Sequence, residues 1–202
     1  MPSTLLLTGF PPFAGVTRNP SEHIVAALDG TLIGDTKVVG RLLPVSARRT
    51  PDAVRTAIAE TAPRLTLLLG VAPGRTGLSI ERTAVNVLDF SAPDNDGEQP
   101  VDEPIAADGP VGYLATLPLR QIVAAWHSAG IPGYVSDTAG LFVCNAALYT
   151  ALRAGARAGF VHLPSLTDEV AGQREPQPSM PLETQIEGVR IALETSLAEL
   201  AA

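Results

Sequence analysis

The chain has 202 residues, 46% of them apolar, a formal net charge of −7 and a single cysteine. That length suits one domain with a full core, while acidity with scattered rather than clustered Lys and Arg excludes nucleic acid and an anionic membrane surface as main partners. One cysteine forms no internal disulfide, which favours a reducing cytoplasm, and no apolar run is long enough to span a bilayer.

The opening M-P-S-T-L-L-L-T-G-F lacks a basic n-region and soon meets Pro11-Pro12, so it does not read as a signal peptide. Leu5-Leu6-Leu7, ending at Thr8-Gly9, predicts a strand buried on both faces of a parallel sheet, followed by a loop over Phe10 to Arg18. Asn19-Pro20-Ser21-Glu22 has the order of N-cap, first-position proline and capping-box acid, and predicts a helix to about Leu28. A second strand is expected from Lys37 to Val45. Thr50-Pro51-Asp52 then starts a helix with Val54, Ala57 and Ile58 on one face.

Leu65 to Leu69 predicts a third buried strand, opening into the glycine-rich loop Gly70 to Gly77. That loop lacks G-K-[ST] and G-x-G-x-x-G and gives no support for a nucleotide phosphate site. Alternation from Leu78 to Leu88 predicts one strand, with Glu81 sharing a face with Thr83, Val85 and Val87. A carboxylate on such a face needs a partner, either a structural one in Arg75 or Arg82 or a functional one in a site. Ser91 to Gly112 is rich in Pro, Asp and Gly and predicts a long irregular segment.

Pro118 opens a helix with Leu119, Ile122, Val123 and Trp126 on one side, closed by Gly130. Y-V-S-D-T-A-G-L-F-V-C-N-A-A-L-Y, from Tyr134 to Tyr149, predicts a short strand, a turn at Gly140 and a helix with Cys144 at its start. Phe160 to Pro164 predicts a further short strand, and Leu182 to Leu200 a final amphipathic helix. Strands alternating with helices define an α/β fold: a single open-sheet domain over 1–202, with a mostly parallel central sheet and helices on both faces. Ligands in such folds bind beyond the carboxyl ends of strands, so one cleft is expected to collect the Phe10 loop, the Val71 loop, Cys144 and His162.

A thiol at a helix N-terminus has its anion stabilised by unpaired N–H groups and the macrodipole, although a free cysteine between apolar neighbours also reads as a small buried hydrophobe. Of three histidines, His23 and His127 lie on predicted helices among polar neighbours, whereas His162 sits near a strand end. A thiol, a downstream imidazole and a partly buried Glu81 together supply nucleophile, base and orienting carboxylate, with helix-start N–H groups for the oxyanion. No His/Cys/Asp cluster has ligand spacing, so neither metal nor cofactor is expected.

These segments resemble the pyroglutamyl peptidase I family of cysteine peptidases along nearly the whole chain. L-L-T-G-F-P-P-F-A-G-V-T-R-N-P-S is similar to the family's T-G-F-x-P-F-x-G-x-x-x-N-P-S segment, and L-S-I-E-R-T-A-V-N to its glutamate segment. V-S-D-T-A-G-L-F-V-C-N resembles the nucleophile segment, and G-F-V-H-L-P the histidine segment. The resemblance implies Cys144 as nucleophile, His162 as base then acid, and Glu81 as third member. It implies removal of an N-terminal pyroglutamyl residue from peptides through a thioester. Phe10 and Phe13 are implied around the lactam ring with Phe142 nearby, Asn19 in polar contact, and Val71 and Val143 in the substrate pocket. It also implies a homo-oligomer, tetramer or dimer.

Two positions depart from the family, which commonly has Gln where this chain has Val71 and, in bacteria, Arg where it has Ser91. Oxyanion stabilisation then falls to the Cys144 backbone, with Ser91 or Arg75 as the side chains placed to help. Competing readings are a thiol amidase of the same fold acting on another lactam or amide, and a binding module that holds pyroglutamyl ligands without efficient chemistry.

Overall fold

In the computed structural model, residues 3–201 are described apart from Ala14, Val16 and Pro176. The triple-leucine run forms β1 (Thr4–Gly9). The loop after it returns through α1 (Pro20–Leu28), where Asn19 accepts a hydrogen bond from Ser21 N at 3.1 Å and proline fills the first helical position. A tight turn joins β2 (Leu32–Ile33) to β3 (Thr36–Leu42). This strand ends earlier than the sequence pattern suggests, and Pro44, which has no N–H for a ladder, lies just beyond. Then come α2 (Arg49–Thr61) and β4 (Leu65–Val71), whose residues are all buried.

The expected single strand over Leu78 to Leu88 is two, β5 (Leu78–Glu81) and β6 (Thr83–Val85). Arg82 divides them: its N–H donates to Ser136 O at 2.7 Å on one side, while its carbonyl accepts from Ala115 N at 2.8 Å on the other. The chain thereby leaves the main sheet, and β6 pairs instead with β7 (Gly112–Leu114) in a two-stranded ribbon. The segment between them is irregular, as its composition requires.

α3 (Leu119–Ser128) ends where Gly130 adopts φ 71°, and its Trp126 is fully buried with Nε1 donating to Gly188 O at 2.7 Å. Next are β8 (Gly133–Ser136), α4 (Val143–Arg153) and β9 (Ala158–Leu163). β10 (Ser165–Leu166), the single turn α5 (Thr167–Val170) and β11 (Ser179–Met180) lead into α6 (Leu182–Ala201).

Seven strands form the main sheet in the order β2-β3-β1-β4-β9-β5-β8. β3, β1, β4 and β9 are mutually parallel, β2 runs against β3, and β5 runs against β9 with β8 alongside it. The sheet is thus mostly parallel, with β2 reversed at one edge and the β5–β8 pair reversed at the other. Leu5, Leu7, Leu67, Leu69, Ile80 and Val161 face a core closed by α1, α3 and α6. Leu68 and Phe160 face a second core closed by α2 and α4. Because side chains alternate along a strand, Gly70 and His162 share the second face, toward the α4 helix.

Candidate active site

α4 begins at Phe142, whose side chain makes no capping hydrogen bond, so the first amides of the helix keep their donors unfilled. Cys144 lies in this first turn. Its sulfur rests on the end of β4: a Cβ at Gly70 would stand 2.9 Å from Sγ and 2.9 Å from Phe160 Cζ. Glycine is therefore required at that position by close approach. Gly70 is the register partner of His162 on β9, which brings thiol and imidazole to neighbouring strand ends.

His162 is 4% exposed and Glu81 fully buried, and Nδ1 lies 2.7 Å from Glu81 Oε1. With the carboxylate ionised, Nδ1 carries the proton and Nε2 is left as the basic nitrogen. Glu81 reaches it because β5 is reversed: Ser79 pairs with His162, so Glu81, two residues on, emerges on the same face. Phe160 tilts against the imidazole with ring centres 4.7 Å apart. Arg75, from the loop after β4, places Nη1 2.8 Å from the same Oε1 and also hydrogen-bonds Ser79 Oγ. Both structural and functional partners expected of Glu81 are thus present in one cluster.

The electrostatics differ from the helix-start argument. Burial pushes the Cys144 thiol up to about 12, and the negative charge of Glu81 adds to this, against smaller opposing effects of Arg75 and of the residue's own backbone. Burial likewise lowers the pKa of His162, outweighing the opposing hydrogen bond to Glu81. The resting pair is therefore neutral thiol and neutral imidazole. Desolvation under α4 outweighs the helix dipole, which contributes only about 0.3–1 kcal/mol in ordinary settings.

Three aromatic rings stand together beside the helix start. Phe13 stacks on Phe142 at 5.7 Å with planes 28° apart, and Phe90 tilts on Phe142 at 4.2 Å. Phe13 and Phe142 are half-buried, as a pocket wall must be. Phe10, at 1% exposure, packs in the same apolar cluster as Phe90, Val143 and Cys144. Asn19 is also wholly buried, its amide engaged by Ser21 N, Ser21 Oγ and Pro11 O, so it shapes the loop bearing Phe13 and presents no free polar group. Val71 and Val143 are buried at 5% and 2% exposure. Ser91 is exposed, next in sequence to Phe90. Arg75, placed by sequence among helpers of an oxyanion, is committed to Glu81 and Ser79.

Three organising residues were not singled out from sequence. Asn145 is fully buried; its Oδ1 accepts from Val85 N at 2.9 Å, and Nδ2 donates to Val85 O at 2.8 Å and Val87 O at 3.0 Å, pinning the helix start beside Cys144. Its signal was one amide amid an apolar helix. Asp94 accepts from the N–H groups of Ala47, Asp96 and Glu98, and Asn95 donates to Pro12 O at 3.1 Å, joining the long segment to the Phe13 loop. Phe10 follows β1, and Val71 and His162 lie at the carboxyl ends of β4 and β9, all parallel strands. Cys144 instead arrives from the reversed β8 through residues 137–142, where Gly140 takes φ 76°. Among the described residues, no group of three or more His, Cys, Asp or Glu is placed to hold a metal ion.

An open α/β sheet with a thiol at a helix start and an imidazole bonded to a buried carboxylate has the architecture of a thiol hydrolase. The particular family follows from comparison: the chain belongs to the pyroglutamyl peptidase family, whose model matches residues 3–199. A pyrrolidone-carboxylate peptidase of Pyrococcus furiosus is 40% identical, covering 97% of this chain and 99% of the relative, and one of Klebsiella pneumoniae is 45% identical over 96% and 91%. The structure of the pyrrolidone carboxyl peptidase of Thermococcus litoralis superposes with a TM-score of 0.95 at 38% identity, covering 98% of this chain and 95% of that one.

Proposed function

We propose that the protein is a cysteine peptidase that removes an N-terminal pyroglutamyl residue from peptides, with Cys144, His162 and Glu81 as its catalytic residues. The observation that carries this reading is the buried His162–Glu81 hydrogen bond, set in strand register beside the glycine on which the Cys144 sulfur lies. His162 Nε2 takes the thiol proton as sulfur attacks the carbonyl carbon of the pyroglutamyl–peptide bond. Proton transfer accompanies attack, since burial holds thiol and imidazole neutral at rest. The resulting oxyanion is held by first-turn amides, the Cys144 N–H among them. His162 then returns its proton to the leaving amine, giving a thioester and a shortened peptide, and activates the water that releases pyroglutamate. Glu81 fixes the imidazole tautomer and balances its transient charge.

Phe13 and Phe142 suit a flat, uncharged lactam, and an apolar wall disfavours a protonated α-amine that would lose its water without a partner. The enzyme acts without a cofactor, on peptides whose N-terminus is blocked by ring closure. A free active-site thiol suits a reducing compartment such as the cytoplasm. Self-association into a dimer or tetramer is implied by the family resemblance. Among the described residues, no helix is long and apolar enough to cross a membrane.

Substrate choice is tested with a pyroglutamyl amide and its prolyl counterpart, each releasing the same fluorophore. A preference of at least ~100-fold in kcat/KM for the lactam is expected. Comparable values would refute the specificity.

A further inference from the structure

The contacts of Glu81 are lopsided. Oε1 receives both His162 Nδ1 and Arg75 Nη1, at 2.7 and 2.8 Å, while Oε2 is buried with no hydrogen-bond partner among the described residues. The carboxylate is fully buried, and the guanidinium beside it is 22% exposed. The same guanidinium nitrogen also meets Ser79 Oγ, and Ser79 is the register partner of His162. Arg75 therefore fastens two residues of β5, one at the imidazole's level in the sheet and one two residues on. A carboxylate buried with no counter-charge neutralises itself by taking a proton, whereas a paired one stays an acceptor.

We propose that Arg75 is a positioning residue for the hydrolysis, whose guanidinium holds Glu81 with Oε1 aimed at His162 Nδ1, with Ser79 as the third point of the clamp. This rests on the assignment of Cys144, His162 and Glu81 above. Without the guanidinium, Oε1 loses the contact that aims it at Nδ1, and with it the imidazole loses the fixed acceptor that keeps its proton on Nδ1 and leaves Nε2 free to receive the thiol proton. The groups coupled to this cluster are Glu81 on β5, His162 on β9, Cys144 on α4 and Arg75 on the β4–β5 loop. The positive charge of Arg75 opposes protonation of His162 and favours the Cys144 thiolate. Removing it therefore disfavours both the neutral imidazole and the thiolate.

The test compares Arg75→Gln, which keeps a hydrogen-bond donor and loses the charge, with Arg75→Lys, which keeps the charge. Both are assayed on a pyroglutamyl amide across pH 5–9, beside wild type and His162→Ala. Arg75→Gln is expected to lose about tenfold or more in kcat at pH 7 with KM little changed, and to move the acid limb of kcat/KM to higher pH. Arg75→Lys is expected to recover most of kcat and the wild-type limb. A merely structural role would lower the melting temperature of both variants and leave the limb in place.

The proposal is overturned by an unshifted limb in folded Arg75→Gln, or by Arg75→Lys falling as far as Arg75→Gln. If Arg75→Gln does not fold, Arg75→Lys decides alone: a wild-type limb with most of kcat retained supports the charge clamp, and a displaced limb with kcat lost overturns it. An inactive wild type, or an active His162→Ala, would instead refute the underlying triad, so the two failures are told apart.

Discussion

The resting protonation of Cys144 separates two kinds of thiol enzyme and is open to direct measurement by raising pH. Burial pushes the thiol up to about 12 from an ordinary 9.0, so at pH 8 the thiolate is a roughly thousandfold smaller fraction than in an unperturbed cysteine. Alkylation by iodoacetamide, followed by intact-protein mass, should be at least ~100-fold slower at pH 8 than for a free cysteine peptide, and should rise about tenfold per pH unit from 7 to 10. Stability carries the same signature. Because the folded pKa is raised, the unfolded chain releases this proton first as pH climbs past 9, and native stability falls between 9 and about 12. At pH 10 the loss relative to neutral pH is about 1 kcal/mol, and Cys144→Ala should lack it. A fast alkylation rate that is flat from pH 6 to 9 would mean a preformed thiolate–imidazolium pair and would refute the burial argument.

Phe13→Ala removes the ring stacked on Phe142 and should raise KM for pyroglutamyl amides by a factor matching about 1–3 kcal/mol of lost apolar contact; an unchanged KM places the pocket elsewhere. Asn145→Ala leaves the polar backbone groups of Val85 and Val87 without their partner and should cost about 2–4 kcal/mol, seen as a melting temperature lower by roughly 5–15 °C. A shift within error would show that water replaces the amide at no cost. Ser91→Arg adds positive charge to the exposed turn after Phe90 and should raise kcat with little change in KM, since such charge favours the oxyanion over the neutral ground state. No rise would leave stabilisation to backbone amides alone.

The strands that carry the site were legible because Leu5-Leu6-Leu7, Leu65 to Leu69 and Phe160 to Leu163 are short apolar runs with clear stops, and α1 was legible from its Asn-Pro start. Cys144, His162 and Glu81 were legible as a thiol, an imidazole and a carboxylate that the fold could bring together. Their spacing was not, for the reversal of β5 and β8 leaves no mark in an alternating pattern that reads alike in either direction. The division at Arg82 was hidden for a related reason: apolar alternation runs through it, and the break is enforced by bonds to Ser136 and Ala115, distant in sequence. Phe10 and Phe13 look alike in sequence, yet one faces the core and the other the Phe142 ring. The thiol environment was misjudged from local features because a helix start is local, whereas burial between α4, β4 and β9 is tertiary.

The central claim is that Cys144 is the nucleophile of a pyroglutamyl peptidase, and the most direct measurement is a rapid acid quench of protein mixed with a pyroglutamyl amide, followed by peptide mass mapping. The account predicts one pyroglutamyl group in thioester linkage on the Cys144 peptide, its accumulation in step with fluorophore release, and neither signal in a folded Cys144→Ala protein. Continued fluorophore release by Cys144→Ala would contradict it.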